Sequence, residues 1–137
     1  MLGIVPEHQI RTRSISRPED GVIQRYYALS KADIAGLVAR ALDKLGIATS
    51  VPSTVLGSVQ PGRFLVGPAI TVRNIPIQPV PYSAWQQQTP TLLGEREAFF
   101  LAEQGDVIVI DGSSVFPASC LGSMAVALAA RLGVAGI

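Results

Sequence analysis

The sequence predicts an α/β fold, and three observations carry that prediction. "GDVIVIDG" holds a short, wholly apolar run, Val107 to Ile110, between turn residues. Such a run marks a strand buried on both faces. "LGSMAVALAARLGVAGI", from Leu121 to Ile137, then reads as a helix, a glycine stop and the opening of another apolar strand. Strand, loop, helix and strand in that order make a βαβ unit over residues 107–137, which implies a parallel pair. Further upstream, "LSKADIAGLVARALDKLGI" has the spacing of an amphipathic helix and precedes the β-branched run "RFLVGPAITVRNI".

Residues 1–29 read as an N-terminal arm, interrupted by Pro6 and Pro18, with "VIQRYYAL" able to form a short helix. The main part, residues 30–137, opens with a helix. Ser30 and Asp33 have capping-box spacing. Ile34, Leu37, Val38, Ala41, Leu42 and Leu45 form one apolar face, and Gly46 supplies the stop. Pro68 interrupts the run from Arg63 to Ile75, which predicts an edge, a bulge or two short strands rather than one central strand. A long irregular connection follows, with Pro76, Pro79, Pro81 and Pro90 around Trp85; long connections of this kind often carry function or form oligomers. A second helix is expected over about Leu92 to Gln104, ending before Gly105. After β-type residues 107–110 and the loop "DGSSVFPASCL", a last helix should bury Met124, Ala125, Leu128, Ala129 and Leu132 and stop at Gly133. The chain ends two or three residues into the following strand, so residues 30–137 are expected to be the N-terminal portion of one domain.

Composition narrows the function classes. The chain has 137 residues, 48% hydrophobic and 15% charged, with a formal net charge of +1. That is a globular profile with room for one core. No basic stripe is present, which argues against nucleic acid as a partner. Arg11, Arg13 and Arg17 share the arm with Glu19 and Asp20 and read as a solvated cluster. A single cysteine, Cys120, and a single histidine, His8, supply neither a disulfide framework nor a His/Cys zinc site. No segment reads as a signal peptide or a membrane span, so a cytoplasmic location without membrane association is expected.

The candidate site lies where strand ends meet a helix start. Ligands of open α/β sheets gather at the carboxyl ends of the strands. The first N–H groups of a helix lack partners and carry the positive end of its dipole. Gly122, Ser123, Met124 and Ala125 form that first turn, suited to a small carboxylate or phosphate. The alternative is that Gly122 eases a tight turn and Ser123 satisfies it. Asp111 is a candidate acid, base or metal ligand, or else the first residue of an Asp-Gly turn. Cys120 reads as a small buried side chain. Glu95 and Glu97 point to different faces of their helix and read as solvated. Neither a dinucleotide loop nor a P-loop is present.

Four blocks together, "LSKADIAGLVARALDKLGI", "PGRFLVGPAITV", "GDVIVIDG" and "LGSMAVALAARLGVAGI", resemble the RraA-like family. It comprises proteins related to the regulator of ribonuclease activity A, 4-hydroxy-4-methyl-2-oxoglutarate aldolases and oxaloacetate decarboxylases. The likeness runs from about Leu29 to the last residue. It implies a swivelling β/β/α-type domain assembled as a homotrimer or homohexamer. Catalytic members act on short 2-oxo acids with magnesium or manganese, the metal holding the substrate and stabilising the enolate. The resemblance also implies that a turn reading Gly, acid, Leu, Leu cradles the pyruvate carboxylate; Gly122, Ser123, Met124 and Ala125 occupy those positions here. Ser123 departs from the pattern, because serine cannot supply the acid's charge. The resemblance places the family's substrate-binding arginine and metal-holding aspartate beyond Ile137, so it assigns no catalytic residue in this chain, and the family's metal ligand is expected to lie outside it. The implied function is a divalent-metal-dependent lyase, expected to show little activity in this chain alone. The alternatives are a non-catalytic, ring-shaped regulator that binds other proteins, and a fragment with no activity of its own.

Overall fold

The computed structural model describes residues 14–19, 21–29, 33–47, 50–74, 95–112 and 121–137. The expectations for His8, Arg11, Arg13, Ser30, the proline-rich stretch around Trp85, and Cys120 lie outside those residues. The regular elements are α1 (Val22–Tyr27), α2 (Ile34–Lys44), β1 (Ala69–Arg73), α3 (Glu95–Leu101), β2 (Val107–Asp111) and α4 (Ser123–Arg131). The chain divides into two compact sets of residues, Pro18–Val66 and Gly67–Ile137, the latter including Met1–Arg17.

The second set holds the sheet. β1 and β2 run parallel, with Ala69 opposite Val107 and Arg73 opposite Asp111. The strand begins directly after Pro68, whose carbonyl accepts the Val107 N–H at 2.8 Å. The proline therefore stays outside the run of ladder donors. After α4 the chain returns to the far side of β2. Ile108 N–H donates to Gly136 at 2.9 Å and Ala135 N–H donates to Asp106 at 2.8 Å, forming a parallel bridge between Val107 and Gly136. β2, α4 and this bridge follow one another in the order of the expected βαβ unit, with a single bridge in place of its second strand, and the mixed, parallel architecture is α/β.

Alternation along the strands decides which side chains enter the core. Ile70 and Ile108 point to one face, where Ala98 and Phe99 of α3 and Ala129 of α4 meet them. Phe99 and Ile108 are each 1% exposed. The opposite face does not meet the expectation of burial on both sides, since Val109 is 43% exposed. The physical reason is placement: the core residues of both helices sit against the Ile70 and Ile108 side. Met124 is a second correction. It was expected in the core with Ala125, Leu128, Ala129 and Leu132, yet it is 86% exposed on the first turn of α4.

Two helices end as glycine-stopped helices should. Gly46 and Gly133 have φ of +73° and +72°. Gly46 N–H donates to Asp43 and Ile47 N–H to Leu42; Gly133 N–H donates to Ala130 and Val134 N–H to Ala129. Each pair closes a Schellman motif that satisfies terminal carbonyls. At its start, α2 departs from the capping-box reading. It begins at Ile34 behind Asp33, whose side chain makes no cap hydrogen bond. Instead, Asp33 Oδ2 accepts from Arg40 Nη2 at 3.4 Å.

α3 ends at Leu101, three residues before the expected Gln104, and Arg17 explains the stop. Its Nη2 donates to the Leu101 carbonyl at 3.1 Å and to Asp106 Oδ2 at 2.7 Å, while Nε reaches Asp106 Oδ1 at 3.3 Å. Nη1 lies 3.1 Å from Glu103 Oε1. Asp106 Oδ2 also accepts the Glu103 N–H at 2.8 Å, so the chain turns there instead of continuing as helix. Arg17 is thus not part of a solvated cluster. Burial pushes the Asp106 carboxyl up, but the Arg17 hydrogen bond, the Glu103 N–H and the guanidinium charge together hold it below the ordinary carboxylate range.

The first set carries α1 and α2. The short helix allowed by "VIQRYYAL" forms as α1, and Tyr27 packs edge-on against Phe64 with centroids 5.3 Å apart. Neither helix has a buried residue. No helix among the described residues is long and apolar enough to cross a membrane.

Candidate functional site

Parallel pairing brings the ends of β1 and β2 to one edge of the sheet, and Gly122 opens α4 after the loop that leaves β2. Gly122 is the N-cap, with φ −110° and ψ 166° and no side-chain cap hydrogen bond. Any residue adopts that extended conformation. A Cβ built on Gly122 would meet none of the described residues within 4 Å. Neither backbone strain nor local packing among these residues therefore calls for glycine, which removes the main support for reading Gly122 as a turn residue only.

The hydrogen bonds of this turn separate its N–H groups. Ala125 and Val126 N–H donate to the Gly122 carbonyl at 3.0 and 3.2 Å. The Ser123 and Met124 N–H groups have no acceptor among the described residues. Of the four residues singled out from the sequence, Ser123 and Met124 thus offer donors, Gly122 offers open space, and Ala125 faces the core. Ser123 is exposed. An incoming anion would meet two adjacent donors and the positive end of a nine-residue helix.

Asp111, at the end of β2, is not a bare turn residue. Its Oδ2 accepts from Arg73 Nε at 3.0 Å across the strand pair. Arg73 was missed in the sequence, because a basic residue at the end of a β-branched run has no signature until the register is known. Asn74 follows, 8% exposed, with its N–H donating to the Asp111 carbonyl at 3.2 Å.

The carboxylates of α3 correct another expectation. Glu97 is 5% exposed, and neither of its carboxylate oxygens has a hydrogen-bond partner among the described residues. Glu95 Oε2 is buried and unpartnered as well. Helical spacing gives the angle between these side chains but not the depth at which the first turn sits, so the solvated reading fails. No group of three or more His, Cys, Asp or Glu side chains among the described residues is arranged to hold a metal ion. The donor set for the divalent cation that the resemblance implies is therefore not found among them.

No curated protein and no solved structure matches the chain. One family model does, over residues 31–137; it is the RraA-like model, described as aldolase/RraA. The matched range runs from the approach to α2, through both strands, to the bridge at Gly136, and so includes the whole edge at which Arg73, Asp111 and Gly122 lie. With well over half of its length matched, the chain belongs to the RraA-like, aldolase/RraA family.

Proposed function

We propose that the chain carries the 2-oxo acid binding turn of a RraA-like lyase. Such an enzyme releases pyruvate by aldol cleavage of 4-hydroxy-4-methyl-2-oxoglutarate-type acids or by decarboxylation of oxaloacetate. Membership of the family carries this reading, and the open start of α4 supports it. The proposal includes a swivelling β/β/α-type domain, assembly as a homotrimer or homohexamer, and a magnesium or manganese ion held by residues other than those described.

The chain's own groups account for binding and orientation. The carboxylate of the 2-oxo acid accepts hydrogen bonds from the Ser123 and Met124 N–H groups, and the absent Gly122 side chain lets it approach the backbone. Two donors fix the plane of the carboxylate and, with it, the adjacent 2-oxo group. Breaking the C–C bond sends its electron pair toward that group as an enolate. The other fragment leaves as carbon dioxide or, once the aldol hydroxyl has given its proton to a base, as a carbonyl compound. The helix's positive end lowers the cost of the charge that builds on the enolate. The Ser123 hydroxyl can donate a hydrogen bond but holds no proton-accepting charge at neutral pH, so it is not assigned as the base.

Titration with oxalate, a planar mimic of enolpyruvate, tests the reading, with and without magnesium. Saturable binding is expected, with a loss of about tenfold or more in Gly122→Val, whose side chain fills the approach. Circular dichroism should show an unchanged fold, since a Cβ at position 122 meets none of the described residues within 4 Å. Absence of oxalate binding by the unaltered chain would overturn the proposal. It would favour the regulator reading, which Met124 and Val126 support as exposed apolar side chains on α4, at 86% and 49%.

A further inference from the structure

Glu97 lies in the first turn of α3, 5% exposed, with neither carboxylate oxygen hydrogen-bonded among the described residues. Such a group is costly to keep, and folds keep one where a proton has to move. Its place in the fold suits that task. β1 and β2 are parallel, and Val107 bridges Gly136 in parallel, so α3 and α4 both run back from the carboxyl edge of the sheet to its amino edge. They do so on the same side, where Ala98, Phe99 and Ala129 share one core. Their far ends are pinned together, because Gly105 N–H donates to the Gly133 carbonyl at 2.9 Å. Glu97 precedes Gly105 by as many residues as Ala125 precedes Gly133. Glu97 is therefore about level with the first turn of α4, and helices packed together have axes about 8–10 Å apart.

Few groups at this edge accept a proton. The connections that leave the carboxyl ends of β1 and β2, residues 75–94 and 113–120, carry no Asp, Glu or His. Asp111 is engaged by Arg73, and strand alternation puts both on the side of the sheet away from the helices. Of the other charged groups on the elements packed against α3, Arg131 sits in the last turn of α4 and Asp106 is held by Arg17 at the amino edge. Glu95 and Arg96 neighbour Glu97 on α3 itself, where residues one and two apart do not face each other.

We infer that Glu97 is the proton-transfer group of the α4 site, taking the aldol hydroxyl proton as the C–C bond breaks and returning it to the enolate carbon. This rests on the reading of the α4 turn as a 2-oxo acid site. In the first step the Glu97 carboxylate gains the hydroxyl proton, the freed O–H pair forms the carbonyl of the departing fragment, and the C–C pair moves into the enolate. In the second, the Glu97 carboxyl gives that proton to the enolate carbon. This restores the 2-oxo group, as pyruvate, and leaves Glu97 a carboxylate again. Between the steps, the negative charge of the enolate favours the protonated form of the side chain beside it.

An enolate-like dianion should accordingly draw a proton onto Glu97, and a monoanion of the ground state should not. Calorimetric titration of the full chain with oxalate and with pyruvate, in two buffers of different ionisation enthalpy, counts the protons taken up. About one proton per oxalate is expected and close to none per pyruvate, so that oxalate affinity falls about tenfold from pH 7 to pH 8. Glu97→Gln, of similar volume, should keep the fold by circular dichroism and bind oxalate with no proton uptake and no change in affinity between those pH values. Glu97→Asp should retain the uptake, and Glu95→Gln should behave as the unaltered chain. Oxalate binding without proton uptake, equal uptake with pyruvate, or uptake that survives Glu97→Gln overturns the inference and leaves the α4 reading standing. Failure of the unaltered chain to bind oxalate removes both.

Discussion

At the scale of single residues, the clearest energetic statement concerns Asp106, 1% exposed and held by Arg17. A carboxylate in that position without its guanidinium would be a buried, half-compensated charge, which is strongly unfavourable. Arg17→Ala is therefore expected to lower the melting temperature by more than about 5 °C, read by thermal circular dichroism at pH 7; an unchanged melt would show the clamp to be dispensable. The sign of the pH dependence follows from Asp106 being held below its ordinary range in the folded chain. Its contribution is complete above the unfolded carboxylate pKa of about 3.9 and is lost as pH falls through the lower folded value. Acid unfolding should accordingly be shallower in Asp106→Asn, which is less stable at neutral pH but has no such proton to take up. Glu97 points the other way. Its two oxygens are buried without partners among the described residues, and replacing an unsatisfied buried polar group by an apolar one of similar size relieves its desolvation. Glu97→Leu should stabilise the chain by about 1–3 kcal/mol; destabilisation would mean that the carboxylate is satisfied in solution. Neither Asp106 nor Glu97 was legible in the sequence. Arg17 and Asp106 lie 89 positions apart, and the depth of Glu97 depends on what surrounds the first turn of α3, which helical spacing does not encode.

At the scale of elements, the readable features were those specified by neighbours in the chain. The apolar run of β2, the β-branched β1 behind Pro68, and the glycine stops at Gly46 and Gly133 all appear where local stereochemistry places them. The first turn of α4 was legible for the same reason, because unpaired N–H groups follow from helix geometry alone. The Arg73–Asp111 pair was not, since it exists only once β1 and β2 are set in register. Close approach between elements is equally invisible. A Cβ on Gly67 would collide with the Gly105 carbonyl oxygen and lie 2.9 Å from Val107 Cγ2. The carbonyl belongs to the backbone, so the strand start must move. Gly67→Ala is expected to cost about 2–3 kcal/mol in urea unfolding. A neutral result would show that the segment leading into β1 shifts freely, and the register from Ala69 onward would then lose its anchor.

At the scale of the whole chain, burial is distributed unevenly. Every fully apolar residue buried among the described ones, Ile70, Ala98, Phe99, Ile108 and Ala129, belongs to the set that carries the sheet. α2 has a strong apolar face by spacing, yet Leu37 is 43% exposed and Leu45 73%, and the segment beyond it exposes Val55, Leu56 and Val59 at 75%, 70% and 96%. Amphipathic spacing predicts that a helix has something to bury, not that a partner is present. Most helical stability comes from packing of that face rather than from propensity, and an eleven-residue helix without it is marginal. Local opening should therefore differ sharply along the chain. In native-state hydrogen exchange, amides of β2 and α3 are expected to exchange only by global unfolding, and those of α1 and α2 by local fraying at rates at least about a hundredfold faster. Equal protection in α2 and β2 would contradict this, and would mean that Leu37, Leu42 and Leu45 are covered in solution. Repeating the exchange at two protein concentrations separates the causes, because cover supplied by another copy of the chain weakens on dilution while cover from within the chain does not.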